Sequence, residues 1–325
     1  MKYLLRVPPA LVLAGFALWA FGALWFQAPF PEPARLALAA GVAGLFSAGA
    51  IGVLLGHVRR VLLPLAVLAL GILIWWATVK PSDTRDWTAD AAQKARISRN
   101  GDVITVKNVR NFIWSSAETP AQERWETRQY SLSRLKTLDL FLSTWGNPDI
   151  AHTLLSFGFD DGRHLVFSVE IRKERGEAFD SLAGFFRKYE LMISVADEAD
   201  IIKVRANQRD EQVSRYRIDV KPENAARLFL KYAALVQRLD EAPEFYNTLT
   251  TNCTTAIYSM LRELDAKEFP LDRRVLISGR VPEYLYDLGY IARDLPFETL
   301  KQSANITARS KAAEGAADYS AAIRR

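Results

Sequence analysis

Ala151-His152-Thr153-Leu154-Leu155-Ser156-Phe157-Gly158-Phe159-Asp160-Asp161-Gly162-Arg163-His164-Leu165-Val166-Phe167-Ser168-Val169-Glu170-Ile171 sets two β-rich runs on either side of an Asp-Gly turn. That pattern is a strong hairpin signal. A two-residue loop at Asp161-Gly162 places His152 opposite Ile171, whereas a three-residue loop centred on Asp161 places it opposite Glu170. The second register sets a carboxylate beside an imidazole. A nucleophile's base needs that partner, because the carboxylate fixes the tautomer and direction of the ring. The alternative is a hydrogen-bonded histidine at a strand start with a structural role only.

Downstream, Asn247-Thr248-Leu249-Thr250-Thr251-Asn252-Cys253-Thr254-Thr255 runs into Ala256-Ile257-Tyr258-Ser259-Met260-Leu261 and holds the only cysteine of the chain. Thr and Asn cap helix N-termini, and Ile257, Met260 and Leu261 recur at helical spacing, which predicts a helix starting at or just before Cys253. A thiol in a first helical turn meets unpaired N–H groups and the positive end of the helix dipole, which favour the thiolate. A lone cysteine packing as a small hydrophobe is the competing reading.

Between and around these segments the residues alternate strands with helices. Residues 86–99 are read as a short helix, 102–109 and 125–130 as strands, and 131–145 fit either a helix or a strand. The rings of Phe185, Phe186 and Tyr189 are expected in the core, with a lipid-facing surface as the alternative. Lys221-Pro222-Glu223 opens a helix with an apolar stripe from Ala225 to Leu239, and residues 282–289 form a short helix closed by Gly289. The Ala- and Ser-rich residues from Lys301 are expected to be less ordered.

The first quarter of the 325-residue chain is different. Three apolar blocks, about 7–26, 36–55 and 61–79, are each near the roughly 20 residues that cross a bilayer as a helix. Trp19, Trp25, Trp75 and Trp76 lie in or near their ends, as in an interfacial belt. Lys2, Arg6, Arg59 and Arg60 put the N-terminus and second connector in the cytoplasm by the positive-inside rule, so residues 80–325 emerge outside. A cleaved signal peptide is the rival reading of the first block alone. Residues 1–79 hold five of the 42 Lys+Arg and one of the 37 Asp+Glu, leaving 37 against 36 in the rest. The net charge of +5 therefore belongs mostly to the membrane end, and no clustered basic domain points to nucleic acid. One cysteine excludes an intramolecular disulfide framework. His57, His152 and His164 are too few and separated to suggest a metal site, and no motif calls for a cofactor.

The hairpin 151–162, Ser168-Val169-Glu170-Ile171-Arg172-Lys173-Glu174, Phe186-Arg187-Lys188-Tyr189-Glu190-Leu191 and Pro243–Thr255 together resemble the bacterial family of the N-terminal periplasmic domain of the lipoprotein N-acyltransferase Lnb, over about residues 100–300. The resemblance implies an exported α/β domain related to permuted papain-like folds, with Cys253 as nucleophile and His152 as base. Glu170 or Ser156 would be the third member, with Asn252 and Thr254 near the oxyanion. In this chain the membrane helices come first, a departure from that family's description, so the domain is carried over more firmly than the reaction. The expected organisation is a three-helix anchor (1–79), a linker (80–100), the periplasmic domain (101–300) and a tail (301–325). The expected function is cysteine-dependent acyl transfer from a membrane phospholipid, to a lipoprotein N-terminus, at the outer face of the cytoplasmic membrane. A cell-wall peptidase or amidase, a lipid hydrolase and a non-catalytic anchored module are the alternatives.

Overall fold

A computed structural model describes residues 4–264 and 269–325. They divide into a unit made of the residues up to Asp83 together with Phe179–Glu190, and a unit made of Thr84–Ala178 and Leu191–Arg325.

The first unit contains α1 (Val7–Gln27), α2 (Glu32–Leu55) and α3 (Val58–Thr78), each long and apolar enough to cross a membrane. Proline in the first turn suits the starts of α1 and α2, and Gly56 ends α2 at φ +103°, a left-handed position. Ala10, Leu13, Ala17 and Ala20 pack against Phe46, Ala50 and Val53. Small residues let helices approach closely, as membrane helices require. At Gly49 a Cβ would stand 2.2 Å from Leu65 Cδ1. Leu11, Leu18, Leu63, Val67 and Ile74 remain exposed, the opposite of a water-soluble bundle. Glu32, Arg35, Arg59 and Arg60 sit at the helix starts.

The second unit is built on a mixed sheet. Its strands are β1 (Arg96–Asn100), β2 (Val103–Arg110), β5 (Trp125–Ser131), β6 (Leu135–Thr144), β7 (Ala151–Phe159), β8 (His164–Arg172), β9 (Glu190–Ala196) and β10 (Gln212–Ile218). The order is β1-β2-β9-β8-β7-β6-β10, with β5 also on β2. The β2–β9 pairing is parallel, and β6, β7 and β8 are antiparallel neighbours. A small separate ribbon joins β3 (Ile113–Trp114) to β4 (Pro120–Gln122).

Every residue of β7 is buried, which explains its near-continuous apolar sequence. On one face, α5 (Pro222–Glu241) brings Phe229 and Tyr232 to within 5.0–5.2 Å, centroid to centroid, of Phe167. The other face carries Phe141, Leu154 and Val166. They are covered by Ile201 and Ile202 of α4 (Glu198–Lys203) and by Ile306, Tyr319 and Ile323. These last three are supplied by the C-terminal region, which forms α8 (Phe297–Ala304), α9 (Thr307–Ala312) and α10 (Tyr319–Ala322), after α7 (Val281–Asp287). The residues from Lys301 are thus part of the core, and composition misjudged them: Ile306 and Ile323 are fully buried.

Other expectations change too. Residues 86–99, read as a helix and within the expected linker, give a short 3-10 turn at Ala89–Ala91 and then β1. β1 is a sheet edge with one buried residue, Ile97, so no apolar alternation marks it. Residues 135–144 resolve as β6. The core expectation holds for Tyr189, which is buried, but Phe185 is exposed and Phe186 stacks on Phe26 of α1. The hairpin adopts the register in which Leu154 faces Ser168 and Gly158 faces His164, with Gly162 at φ +83°.

Candidate active site

Cys253 is the first residue of α6 (Cys253–Leu264) and is half-buried. The turn before it is fixed by Asn247, whose Oδ1 accepts the N–H groups of Leu249 and Thr250 at 3.0 Å. Asn252 then caps the helix. Its Oδ1 accepts the N–H groups of Thr254 and Thr255 at 2.9 Å, its own N–H donates to Thr255 Oγ1, and its Nδ2 donates to Thr248 O at 2.7 Å. The Thr/Asn run therefore performs the capping its composition suggests. Asn252 itself is consumed by the cap, and so is the N–H of Thr254. The backbone N–H of Cys253 is left without a hydrogen-bond partner among the described residues.

His152 stands second in β7. The ladder between β7 and β8 runs only from Leu154/Ser168 to Gly158/His164, so the two strands are unpaired at His152 and Thr153. That opening leaves His152 and Thr153 free to influence the Cys253 sulfur, whose thiolate both favour. The register puts Glu170 across from His152. Glu170 Oε1 lies 3.1 Å from His152 Nε2, and Ser168 Oγ lies 2.6 Å from the same nitrogen. Ser168 Oγ donates to Glu170 Oε1 at 2.7 Å, so the Ser168 oxygen accepts from the ring. With Nε2 turned to Ser168 and Glu170, Nδ1 is the nitrogen left for Cys253. Arg205, from the wide turn Val204–Gln208 after α4, donates to Glu170 Oε1 at 3.0 Å and to Glu211 Oε2 at 3.2 Å.

The electrostatics follow from this geometry. Burial pushes the Cys253 thiol up, but the charge and hydrogen bond of His152, with the Thr153 N–H, outweigh it and bring the thiol from 9.0 down to about 6. Burial pushes His152 down, but the Glu170 carboxylate prevails over that and over Arg205, and the imidazole rises to about 9. Burial raises Glu170, yet the charges of His152 and Arg205 and the bonds from His152 and Ser168 hold it well below the ordinary carboxylate range. Cys253 and His152 thus form a thiolate–imidazolium pair between about pH 6 and about pH 9. A thiolate beside an imidazolium is an activated nucleophile.

Of the residues singled out in the sequence, Cys253, His152 and Glu170 come together. Ser156 does not. It lies four residues further along β7 and donates to Glu198 Oε1 at 2.5 Å. Ser168 and Arg205 were not anticipated. Ser168 was within reach, since it lies two residues before Glu170 on one strand face, but nothing local marks Arg205. Among the described residues, one cluster offers metal-ligand atoms, Asp139, His164 and Glu198. Its carboxylates are already paired, Asp139 with Arg215 and Arg324 at 2.9 and 2.8 Å, and Glu198 with Arg324 at 2.7 Å.

A cavity of about 280 Å³ opens on the α5 side of the sheet. Thr153 and Thr254, neighbours of the histidine and the cysteine, line it at one place, and Leu155, Leu228, Ile257 and Leu285 give it apolar walls.

A chain with three helices fit to span a membrane and an α/β domain that holds a paired cysteine, histidine and carboxylate is a membrane protein with a site suited to thiol chemistry. Residues 121–279, just under half of the chain, match the family described as the Lnb N-terminal periplasmic domain. The match takes in His152, Ser168, Glu170, Arg205 and Cys253, and leaves out α1 to α3, β1 to β3 and the helices from α7 on. The family's description and the three apolar helices together suggest a membrane protein whose C-terminal domain is periplasmic. No curated protein and no solved structure matches the chain.

Proposed function

We propose that this protein is a membrane-anchored thiol acyltransferase that takes a fatty acyl group from a lipid ester on Cys253. The observation that carries the reading is the apolar cavity that shares Thr153 with the sulfur's own surroundings. An acyl chain needs such a pocket beside the nucleophile, and a peptide needs an open polar trench. His152 holds the thiol proton and the thiolate attacks the ester carbonyl. The backbone N–H of Cys253, at the start of α6, is the donor offered to the developing oxyanion. Collapse breaks the ester C–O bond, the imidazolium protonates the departing lysolipid alkoxide, and a thioester remains. A neutral amine, taken to be a lipoprotein N-terminus, then attacks the thioester. His152 removes the amine proton and returns it to the sulfur, giving an amide and the free thiol. Ser168 and Glu170 orient the imidazole, Glu170 keeps it charged in the resting state, and Arg205 holds Glu170 in place.

The order of a histidine strand before a cysteine helix supports a permuted papain-like relationship. Lys2, Arg6, Arg59 and Arg60 support an N-terminus on the cytoplasmic side of the inner membrane, with the domain on its outer face. The reading is tested by filling the cavity. Ala225 is buried in its wall, and Ala225→Phe is expected to lower the rate of thioester formation with a long-chain ester relative to a short-chain ester by about tenfold or more. An unchanged ratio would remove the cavity from the reaction and return the peptidase reading.

A further inference from the structure

Residues 179–190 interrupt the sheet domain in sequence, between β8 and β9, yet belong to the unit of the membrane helices. Their contacts there are specific. The Phe186 ring stacks on Phe26 at 5.5 Å and lies over Gly22, where a Cβ would come within 2.1 Å of it. Gly22 is five residues before the end of α1, about 7–8 Å along the helix axis from that end. The ring therefore packs more than one helical turn inside the end of α1 rather than stopping at the helix tip.

The backbone polar groups that accompany the ring are satisfied by the helices. Gln27 Nε2 donates to the carbonyls of Phe186 and Arg187 at 2.9 and 2.7 Å. Arg187 donates to the carbonyls of Trp76 and Val79 at 2.9 and 3.3 Å, and its guanidinium covers the Trp76 ring at 4.6 Å. Backbone that enters a bilayer needs such partners, and Arg stacked on Trp is an interfacial pairing. Arg187 takes a left-handed conformation, φ 58°, uncommon for a residue with a side chain. The 3-10 turn Ala183–Phe186 buries Ala183 and Gly184. Asp180 Oδ1 fixes the start of the segment by accepting the Leu182 N–H at 2.7 Å. Beyond the exposed Asp180 and Ser181 at its start, what the turn leaves outward is apolar: Leu182 is 64% exposed and Phe185 43%.

We propose that residues 179–190 are a lipid-facing segment, in which Leu182 and Phe185 contact the bilayer beside the C-terminal ends of α1 and α3. Two large apolar side chains held on a rigid turn continue the lipid-exposed surface of the helices, and that continuity identifies lipid as the occupant. The inference is independent of the reaction at Cys253.

The test uses the full chain in phosphatidylcholine nanodiscs, one protein per disc, in a Cys253→Ser background. Leu182→Cys, Phe185→Cys and, as the control, Ser116→Cys at an exposed position are each labelled with an environment-sensitive NBD group. Positions 182 and 185 are expected to show blue-shifted emission that is lost when the discs contain phosphatidylcholine doxyl-labelled near the headgroup, with position 116 unaffected. Emission at 182 and 185 like that at 116 would overturn the proposal in favour of a solvated loop. A blue shift indifferent to doxyl lipid would overturn it in favour of protein contact.

Discussion

Cys253 is expected to react with iodoacetamide with a midpoint near pH 6, and His152→Ala to move that midpoint upward. The sign follows from the balance at the sulfur. Burial opposes the thiolate, and His152 is the largest of the influences that favour it. Removing the imidazolium leaves burial opposed by the Thr153 N–H, so at neutral pH the thiolate fraction collapses. The same variant is expected to slow thioester formation from a lipid ester by about 10²–10⁴-fold, the usual contribution of a positioned acid or base. Glu170→Gln keeps the shape of the orienting group but removes the charge that lifts His152 to about 9, so its pH–rate profile is expected to lose its alkaline shoulder. Alkylation followed by intact mass, and thioester formation measured across pH 5–10, check both parts. An unchanged midpoint in His152→Ala would separate the histidine from the cysteine.

Arg324→Met is expected to destabilise the sheet domain by about 3–5 kcal/mol, a fall in melting temperature on the order of 10 °C. Arg324 is one residue from the C-terminus, yet it donates to Glu198 through two nitrogens at 2.7 Å and to Asp139 at 2.8 Å. Both acids are fully buried. Glu198 is raised by burial and lowered by the bond and charge of Arg324, with a net fall below its ordinary value. In the wild type that lowering contributes stability above the ordinary carboxylate range, and the contribution is lost as pH falls through the folded value. In Arg324→Met burial dominates and Glu198 is raised instead, so the variant's deficit is largest near neutrality and shrinks on acidification. Melting followed by circular dichroism at pH 5 and pH 8 checks magnitude and sign; equal stability of the two proteins would mean the C-terminal helices are not docked in solution.

The parts of this fold that were legible in the sequence are those with local signatures. Three apolar blocks gave the three helices, Asp161-Gly162 gave the β7–β8 hairpin, and the Thr/Asn run before Ile257 and Met260 gave the start of α6 at Cys253. Of the two hairpin registers the residues allowed, only the structure selects the one that sets Glu170 across from His152. The illegible parts depend on distant partners. Arg205 reaches Glu170 from 35 positions away, and Arg324 reaches Asp139 from 185. Ile306, Tyr319 and Ile323 are too widely spaced to show a periodic stripe, so the C-terminal helices looked like an Ala/Ser tail. β1 escaped notice because an edge strand with one buried residue carries almost no pattern. Ser156 shares β7 with His152 but lies four residues further on, and its hydroxyl is turned to Glu198.

The most direct test of the account is the intact mass of the purified full-length protein after incubation in phospholipid of defined acyl chains, beside Cys253→Ser. The wild type is expected to gain one acyl mass that hydroxylamine removes and an N-terminal cysteine lipopeptide discharges, with no gain in Cys253→Ser. A wild type that stays unmodified in phospholipid while Cys253 alkylates readily, or an adduct of equal size on Cys253→Ser, would contradict acyl transfer through this cysteine.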